Sequence, residues 1–268
     1  MHNSIDDLAT LLAQGDIGQN ALTGESKAYP LGEKDIDGVS GTFSLFERRN
    51  GEALGIVMLD GTMAGNSHPG HIHFNSAVEG GGIAYSFVPV DGSTGRSVNN
   101  IAMLDDGTMI TYDQLLDFDG YVNIHNSADD LATLVAQGDI GSNELTSEMV
   151  SYALNEVDQA GTMGTITFME RKDGSTLSTI ELMNTVAGDM NPGHIHENSV
   201  AEGGGILFTF NPVNGDTGLS MTNIGMLDDG TMITYEQLLT IDGYVNIHKS
   251  MTELATLVAQ GNIGANVN

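Results

Sequence analysis

His68-Pro69-Gly70-His71-Ile72-His73 returns 123 residues later as Asn191-Pro192-Gly193-His194-Ile195-His196. A histidine, one apolar residue and a second histidine after Pro-Gly read as a strand. Residues i and i+2 of a strand share a face, so His71 and His73 point one way and Ile72 the other. Two imidazoles on one strand face, about 7 Å apart at Cα, can reach one metal ion. A third histidine ends Tyr121-Val122-Asn123-Ile124-His125, which also recurs at the same offset as Tyr244-Val245-Asn246-Ile247-His248. Its strand should place Tyr121, Asn123 and His125 on one face and Val122 and Ile124 on the other. The two words together predict a three-histidine site built twice: His71, His73 and His125, then His194, His196 and His248.

The repeat sets the domain organisation. Of the eight histidines, six fall into these two sites, leaving only His2 and His68. HNSIDDLATLLAQGDIGQN (2–20) reappears as HNSADDLATLVAQGDIGSN (125–143) and HKSMTELATLVAQGNIGAN (248–266), so this segment occurs three times and the histidine pair twice. We therefore expect residues 1–20 to be the tail of a preceding repeat, 21–144 a first domain and 145–268 a second. His2 is then a ligand without its partners, and Leu8, Leu11 and Leu12 supply an apolar face that packs on the first domain.

Composition excludes several classes. The chain has no Cys, which removes disulfides, thiolate metal sites and cysteine nucleophiles. Eight Lys and Arg against 36 Asp and Glu give a formal charge of −28, a surface that repels nucleic acid and anionic membranes. No apolar run reaches the 18 residues or so of a membrane span. No signal peptide is visible after Met1, and the start reads as an internal cut.

Around the histidine words the text is mostly strands. Ser40–Glu47 alternates, and 164–170 has the same beat. Arg48-Arg49-Asn50-Gly51 and Arg171-Lys172-Asp173-Gly174 are hairpin turns leading to return strands over 53–59 and 176–183. The triple glycines at 80–82 and 203–205 lack the following helix and Lys of a phosphate loop, and read as close backbone approaches. Met103–Tyr112 recurs unchanged as Met226–Tyr235, and Thr111 should cap a short helix, Tyr112–Leu116, matched by Tyr235–Leu239. A second helix is expected from Ser127 through Leu131, Leu134 and Val135, stopped by Gly138. The fourteen Met read as core filling.

The HPGHIH and YVNIH words resemble the chordin-type (CHRD) domain family, common in bacterial secreted proteins. Its pattern has a histidine-x-histidine strand, matched by His71-Ile72-His73 and His194-Ile195-His196. It has a YVNxH word near its end, matched by 121–125 and 244–248. A closing Gly-Glu-Ile-like strand corresponds to Gly138-Asp139-Ile140 and Gly261-Asn262-Ile263. The likeness covers nearly the whole chain, but a Ser-x-x-x-Leu-Ala-Thr-Leu-Val-Ala stretch stands here where the family has an Asn-Pro-Gly turn. The resemblance implies an all-β protein of two tandem Greek-key, immunoglobulin-like β-sandwiches, similar to the copper/zinc superoxide dismutase fold, with short helices in connections.

Function follows as an expectation. Imidazole ligands favour copper or zinc, one ion per complete repeat, with copper favoured by the dismutase-like scaffold. A non-catalytic metal-binding module of an extracellular, cell-surface or periplasmic protein fits the repetition best, with metal ions and neighbouring repeats as its partners. A copper/zinc enzyme of the dismutase type is the alternative. For zinc hydrolysis Glu79 and Glu202 are the candidate general bases, and, whatever the chemistry, His68 is a possible fourth ligand in the first unit, where the second has Asn191. Calcium is a weaker candidate for Asp105-Asp106, Asp228-Asp229 and the Asp117-Phe118-Asp119-Gly120 loop.

Overall fold

The computed structural model describes Met1, Ile5 and residues 13–267; His2, Leu8, Leu11 and Leu12 lie outside the described residues. The chain divides into two compact units, Met1–Asn143 and Glu144–Asn268. Each is a curled antiparallel β-sheet of ten strands with one short α-helix in a connection, and a 3-10 turn at Gly18–Asn20 precedes the first strand of the first unit.

The first unit runs β1 (Leu22–Glu33), β2 (Ser40–Arg48), β3 (Ala53–Asp60), β4 (Ser67–His68), β5 (Gly70–Phe74), β6 (Ile83–Ser86), β7 (Val90–Asp91) and β8 (Arg96–Ile101). Then come helix α1 (Tyr112–Leu116), β9 (Asp119–Ser127) and β10 (Asp130–Gly141). Across the sheet the order is β4-β7-β8-β3-β2-β1-β10-β9-β5-β6. Long β1 turns the sheet on itself, pairing with β2 over most of its length and with β10 only at Gly32 and Glu33. Pro69 joins β4 at one end of the order to β5 near the other, and a residue without an N–H suits that crossing.

Period-two alternation fills the inside of the curl. Phe43 and Leu45 of β2, Val57 of β3 and Ile101 of β8 face Ile72 of β5, Val122 and Ile124 of β9, and Ile140 of β10, all fully buried. Each such side chain contributes about 1.5–3 kcal/mol of transfer free energy. The Arg48–Gly51 turn closes as expected, with Gly51 N–H donating to Arg48 O at 2.8 Å and Gly51 at φ +80°. Helix α1 also forms where expected: Thr111 and Gln114 make a reciprocal capping box.

The second unit repeats the plan: β11 (Leu145–Glu156), β12 (Met163–Arg171), β13 (Thr176–Met183), β14 (Met190–Asn191), β15 (Gly193–Glu197), β16 (Ile206–Thr209), β17 (Val213–Asn214) and β18 (Leu219–Ile224). Helix α2 (Tyr235–Leu238), β19 (Asp242–His248) and β20 (Leu257–Gly264) complete it, in the same spatial order.

Two expectations are corrected. The helix expected from Ser127 to Val135 is strand β10, which pairs Leu134 with His125 and Gln137 with Asn123. Its copy is a pair of turns over 250–256 followed by β20. The spacing of Leu131, Leu134 and Val135 fits a helix, but register shifts at 130–136 break the strand's alternation, and pairing between β9 and β1 decides the outcome. The methionines are not core: thirteen are exposed and Met169 is half-buried, while Ile, Leu, Val, Phe and Tyr fill both cores.

Candidate metal centre

The register of β5 against β9 builds the site. Gly70 lies opposite Ile124, His71 opposite Asn123, Ile72 opposite Val122 and His73 opposite Tyr121. His125 N–H donates to Pro69 O at 2.8 Å, which extends the ladder by one residue. One face of this pair therefore carries Ile72, Val122 and Ile124 into the core. The other carries His71, His73, Asn123, Tyr121 and His125. In the second unit β15 and β19 keep the same register, from Gly193 opposite Ile247 to His196 opposite Tyr244.

The three histidines of each unit converge. One ring nitrogen from each of His71, His73 and His125 lies within 4.8 Å of the others, and the same holds for His194, His196 and His248. Among the described residues these are the only such groups of three or more His, Cys, Asp or Glu. Ring centroids stand 5.0 Å apart for His71–His125 and 5.0 Å for His194–His248. His125 and His248 are each 7% exposed, so the third ligand sits deepest.

Hydrogen bonds fix which nitrogen faces inward. His73 Nδ1 lies 3.0 Å from Gly81 O and His125 Nδ1 lies 2.7 Å from Leu131 O. A carbonyl only accepts, so both Nδ1 atoms carry the proton, and in the neutral ring Nε2 keeps its lone pair. His196 and His248 repeat this with Gly204 O at 3.1 Å and Leu254 O at 2.6 Å. Metal-binding histidines are commonly oriented by such a second hydrogen bond. In the second unit His194 Nδ1, His196 Nε2 and His248 Nε2 are all buried without a hydrogen-bond partner. In the first unit His73 Nε2 is likewise unpartnered, while His71 Nδ1 and His125 Nε2 face each other at 3.1 Å. Buried polar atoms are otherwise almost always satisfied. A cation shared by three lone pairs fits this donor set.

Burial favours the neutral form of four rings. Burial first, then the neighbouring imidazoles, pushes the pKa of His71 and His194 below the usual histidine value, with Asp105 and Asp228 opposing. Burial lowers those of His73 and His248 against the effect of their carbonyl partners. Metal binding needs unprotonated imidazole.

The supporting residues are less obvious in the sequence. Tyr121 stacks on His73 at 4.9 Å and Tyr244 on His196 at 5.1 Å. The triple glycine makes a close backbone approach that leaves no room for a side chain: a Cβ on Gly81 would overlap Phe74 O, and one on Gly204 would overlap Glu197 O. Leu131 O is presented at the start of β10, just after a turn that Asp130 holds, accepting from Asn126 Nδ2 at 3.0 Å and Thr133 N at 3.3 Å. At the equivalent places Lys249 and Glu253 make an ion pair at 2.9 Å. Different chemistry thus ties the same turn.

The remaining candidates have other places. His68 is 3% exposed and outside the cluster; its Nδ1 lies 3.2 Å from His125 O, beneath the third-ligand strand. Asn191 takes that role in the second unit, donating to His248 O at 3.1 Å. Glu79 accepts from Ser76 Oγ at 2.5 Å and Glu202 from Ser199 Oγ at 2.6 Å, each closing a turn. The carboxylates considered for calcium are similarly engaged. Asp106 accepts from Thr108 N at 2.8 Å, Asp229 from Thr231 N at 2.8 Å and Asp119 from Asn143 Nδ2 at 2.8 Å. Asp105 accepts from Ser86 Oγ at 2.7 Å and acts electrostatically on His71.

Compared with protein-family profiles, curated proteins and solved structures, the chain matches none. The assignment of a function therefore rests on the geometry of these two clusters and on the sequence words that form them.

Proposed function

We propose that each complete unit is a non-catalytic module that binds one copper or zinc ion through His71, His73 and His125, or through His194, His196 and His248. The observation that carries this reading is the convergence of three imidazole nitrogens within 4.8 Å in both copies, with carbonyls holding the outer nitrogens of two rings in each. All-nitrogen ligation favours copper or zinc over calcium or magnesium, and at equal supply copper(II) binds more tightly. A bound ion would tie two neighbouring strands together and would stabilise the fold by mass action.

The chordin-type words, the tandem repetition and the acidic surface support a module of an extracellular, cell-surface or periplasmic protein, with a dismutase-like sandwich as its scaffold. They support binding over catalysis: the carboxylates named as bases are engaged by Ser76 and Ser199 on turns of their own.

Elemental analysis of untagged protein should find two ions per chain. His71→Ala combined with His194→Ala should remove both, whereas full metal retention in that double variant would overturn the assignment.

A further inference from the structure

The asparagine of each YVNIH word is not one of the three ligands, yet it stands among them. On the site face Asn123 lies between Tyr121 and His125 along β9, with His71 directly opposite it on β5. His73, two residues on from His71, is its diagonal neighbour. The three histidines therefore surround Asn123, and its shorter side chain forms the floor between their rings. Asn246 has the same place among His194, His196 and His248, and both asparagines are 8% exposed.

The next strand turns the amide. Gln137 of β10 lies opposite Asn123, and Gln260 of β20 lies opposite Asn246. Gln137 Nε2 donates to Asn123 Oδ1 at 2.8 Å, and Gln260 Nε2 donates to Asn246 Oδ1 at 2.6 Å. An amide is planar, so an oxygen turned to β10 or β20 sends Nδ2 the other way, toward the histidine pair. Among the described residues neither Nδ2 makes a hydrogen bond, and neither is fully buried. Each floor thus offers N–H donors that the protein itself leaves unused.

We infer that Asn123 and Asn246 hold the ligand that fills the fourth coordination position: a small monoanion, bound to the ion and accepting a hydrogen bond from Nδ2. This rests on the metal reading proposed above. Three protein ligands leave a tetrahedral ion one position for a further ligand. Three neutral imidazoles leave the charge of a divalent ion uncompensated, which favours an anion there. The other end of the same row limits the charge. Ser86 lies opposite His71 and Thr209 opposite His194, and their hydroxyls donate at 2.7 Å to the carboxylates of Asp105 and Asp228. Those carboxylates, with the chain's net charge of −28, oppose a dianion.

The test uses the full chain loaded with copper(II), its metal content checked by elemental analysis. Azide is titrated in and the azide-to-copper charge-transfer band is followed. Saturable uptake is expected, with sulfate a poor competitor. Asn123→Leu with Asn246→Leu keeps the size and removes the donor; it should keep both ions and weaken azide about tenfold, the loss of one good hydrogen bond. Gln137→Leu with Gln260→Leu keeps the donor but frees the amide to turn, and should weaken azide several-fold; it carries the test if the first variant does not fold. A chain that takes up no copper overturns the metal reading and this inference with it. A copper-loaded chain that takes up no azide, sulfate that competes as well as azide, or unchanged azide affinity in either double variant overturns this inference alone.

Discussion

The ring of His73 shows how much a single residue's surroundings decide. One nitrogen is bound to Gly81 O, the other is buried without a partner, and the face lies against Tyr121. Such a ring has little freedom to accept a second proton, and burial lowers the pKa values of His71, His73, His194 and His248 from the ordinary 6.5. The sign of the stability effect follows by linkage. As pH falls through 6.5 the unfolded chain takes up protons that the folded chain refuses. Metal-free protein should therefore lose stability between that point and the lower folded values, and gain nothing further above it. Thermal melts of chelator-treated protein across this range should show the midpoint falling with acid. A flat midpoint would contradict neutral, buried rings.

At the scale of elements, the site is a two-strand construction with a turn behind it. The strands were legible because the signal is local: Gly-His-Ile-His and Tyr-Val-Asn-Ile-His each alternate core and site residues within five positions. Their neighbourhood in the sheet was also required by the chemistry, since a third ligand must come from an adjacent strand. What lies behind His125 was not legible. The 127–135 segment has helix-like spacing, and nothing in it reveals that Leu131 must offer its carbonyl to His125. The two roles of His68 and Asn191 were hidden for a similar reason, because both are set by a backbone carbonyl 57 residues away. The methionines misled because their apolar character says nothing about which strand face reaches solvent. The turn yields its own prediction. Asp130→Ala frees Asn126 and Thr133, loosens Leu131 O and so the orientation of His125. Loss of an outer-shell partner costs about 10–100-fold in metal affinity. Competition with a chelator should show that loss in the first site alone, with the fold unchanged by circular dichroism. Equal affinity at both sites would show that the turn does not orient the ligand.

For the molecule as a whole, two copies of one plan in a single chain act as each other's control. Features kept in both, the three histidines and their carbonyl partners, belong to the shared chemistry. Those that differ, His68 against Asn191 and Asn126–Asp130 against Lys249–Glu253, belong to one unit's own needs. The segment before β1 follows the same logic. Asp16, Gln19 and Asn20 precede β1 in the register that Asp139, Ser142 and Asn143 hold before β11. The described part of it docks on the first hairpin: Arg48 Nη1 lies 2.8 Å from Asp16 Oδ2 and 2.7 Å from Asn20 O, and Asn50 N donates to Gln19 O at 3.0 Å. Arg48 is only 8% exposed, so its charge depends on these acceptors. Deleting residues 1–19 removes Asp16 and Gln19 and leaves a nearly buried guanidinium short of partners. A charge-assisted hydrogen bond is worth about 1.5–3 kcal/mol, and the half-exposed Asp16 places the expected loss toward the low end of that range. Urea unfolding of the truncated chain should show a lower midpoint for the first unit. The loss should be smaller when Arg48→Met is already present, because the two changes then remove one interaction rather than two. An unchanged midpoint, or full additivity of the two changes, would mean that this segment does not hold the first unit together.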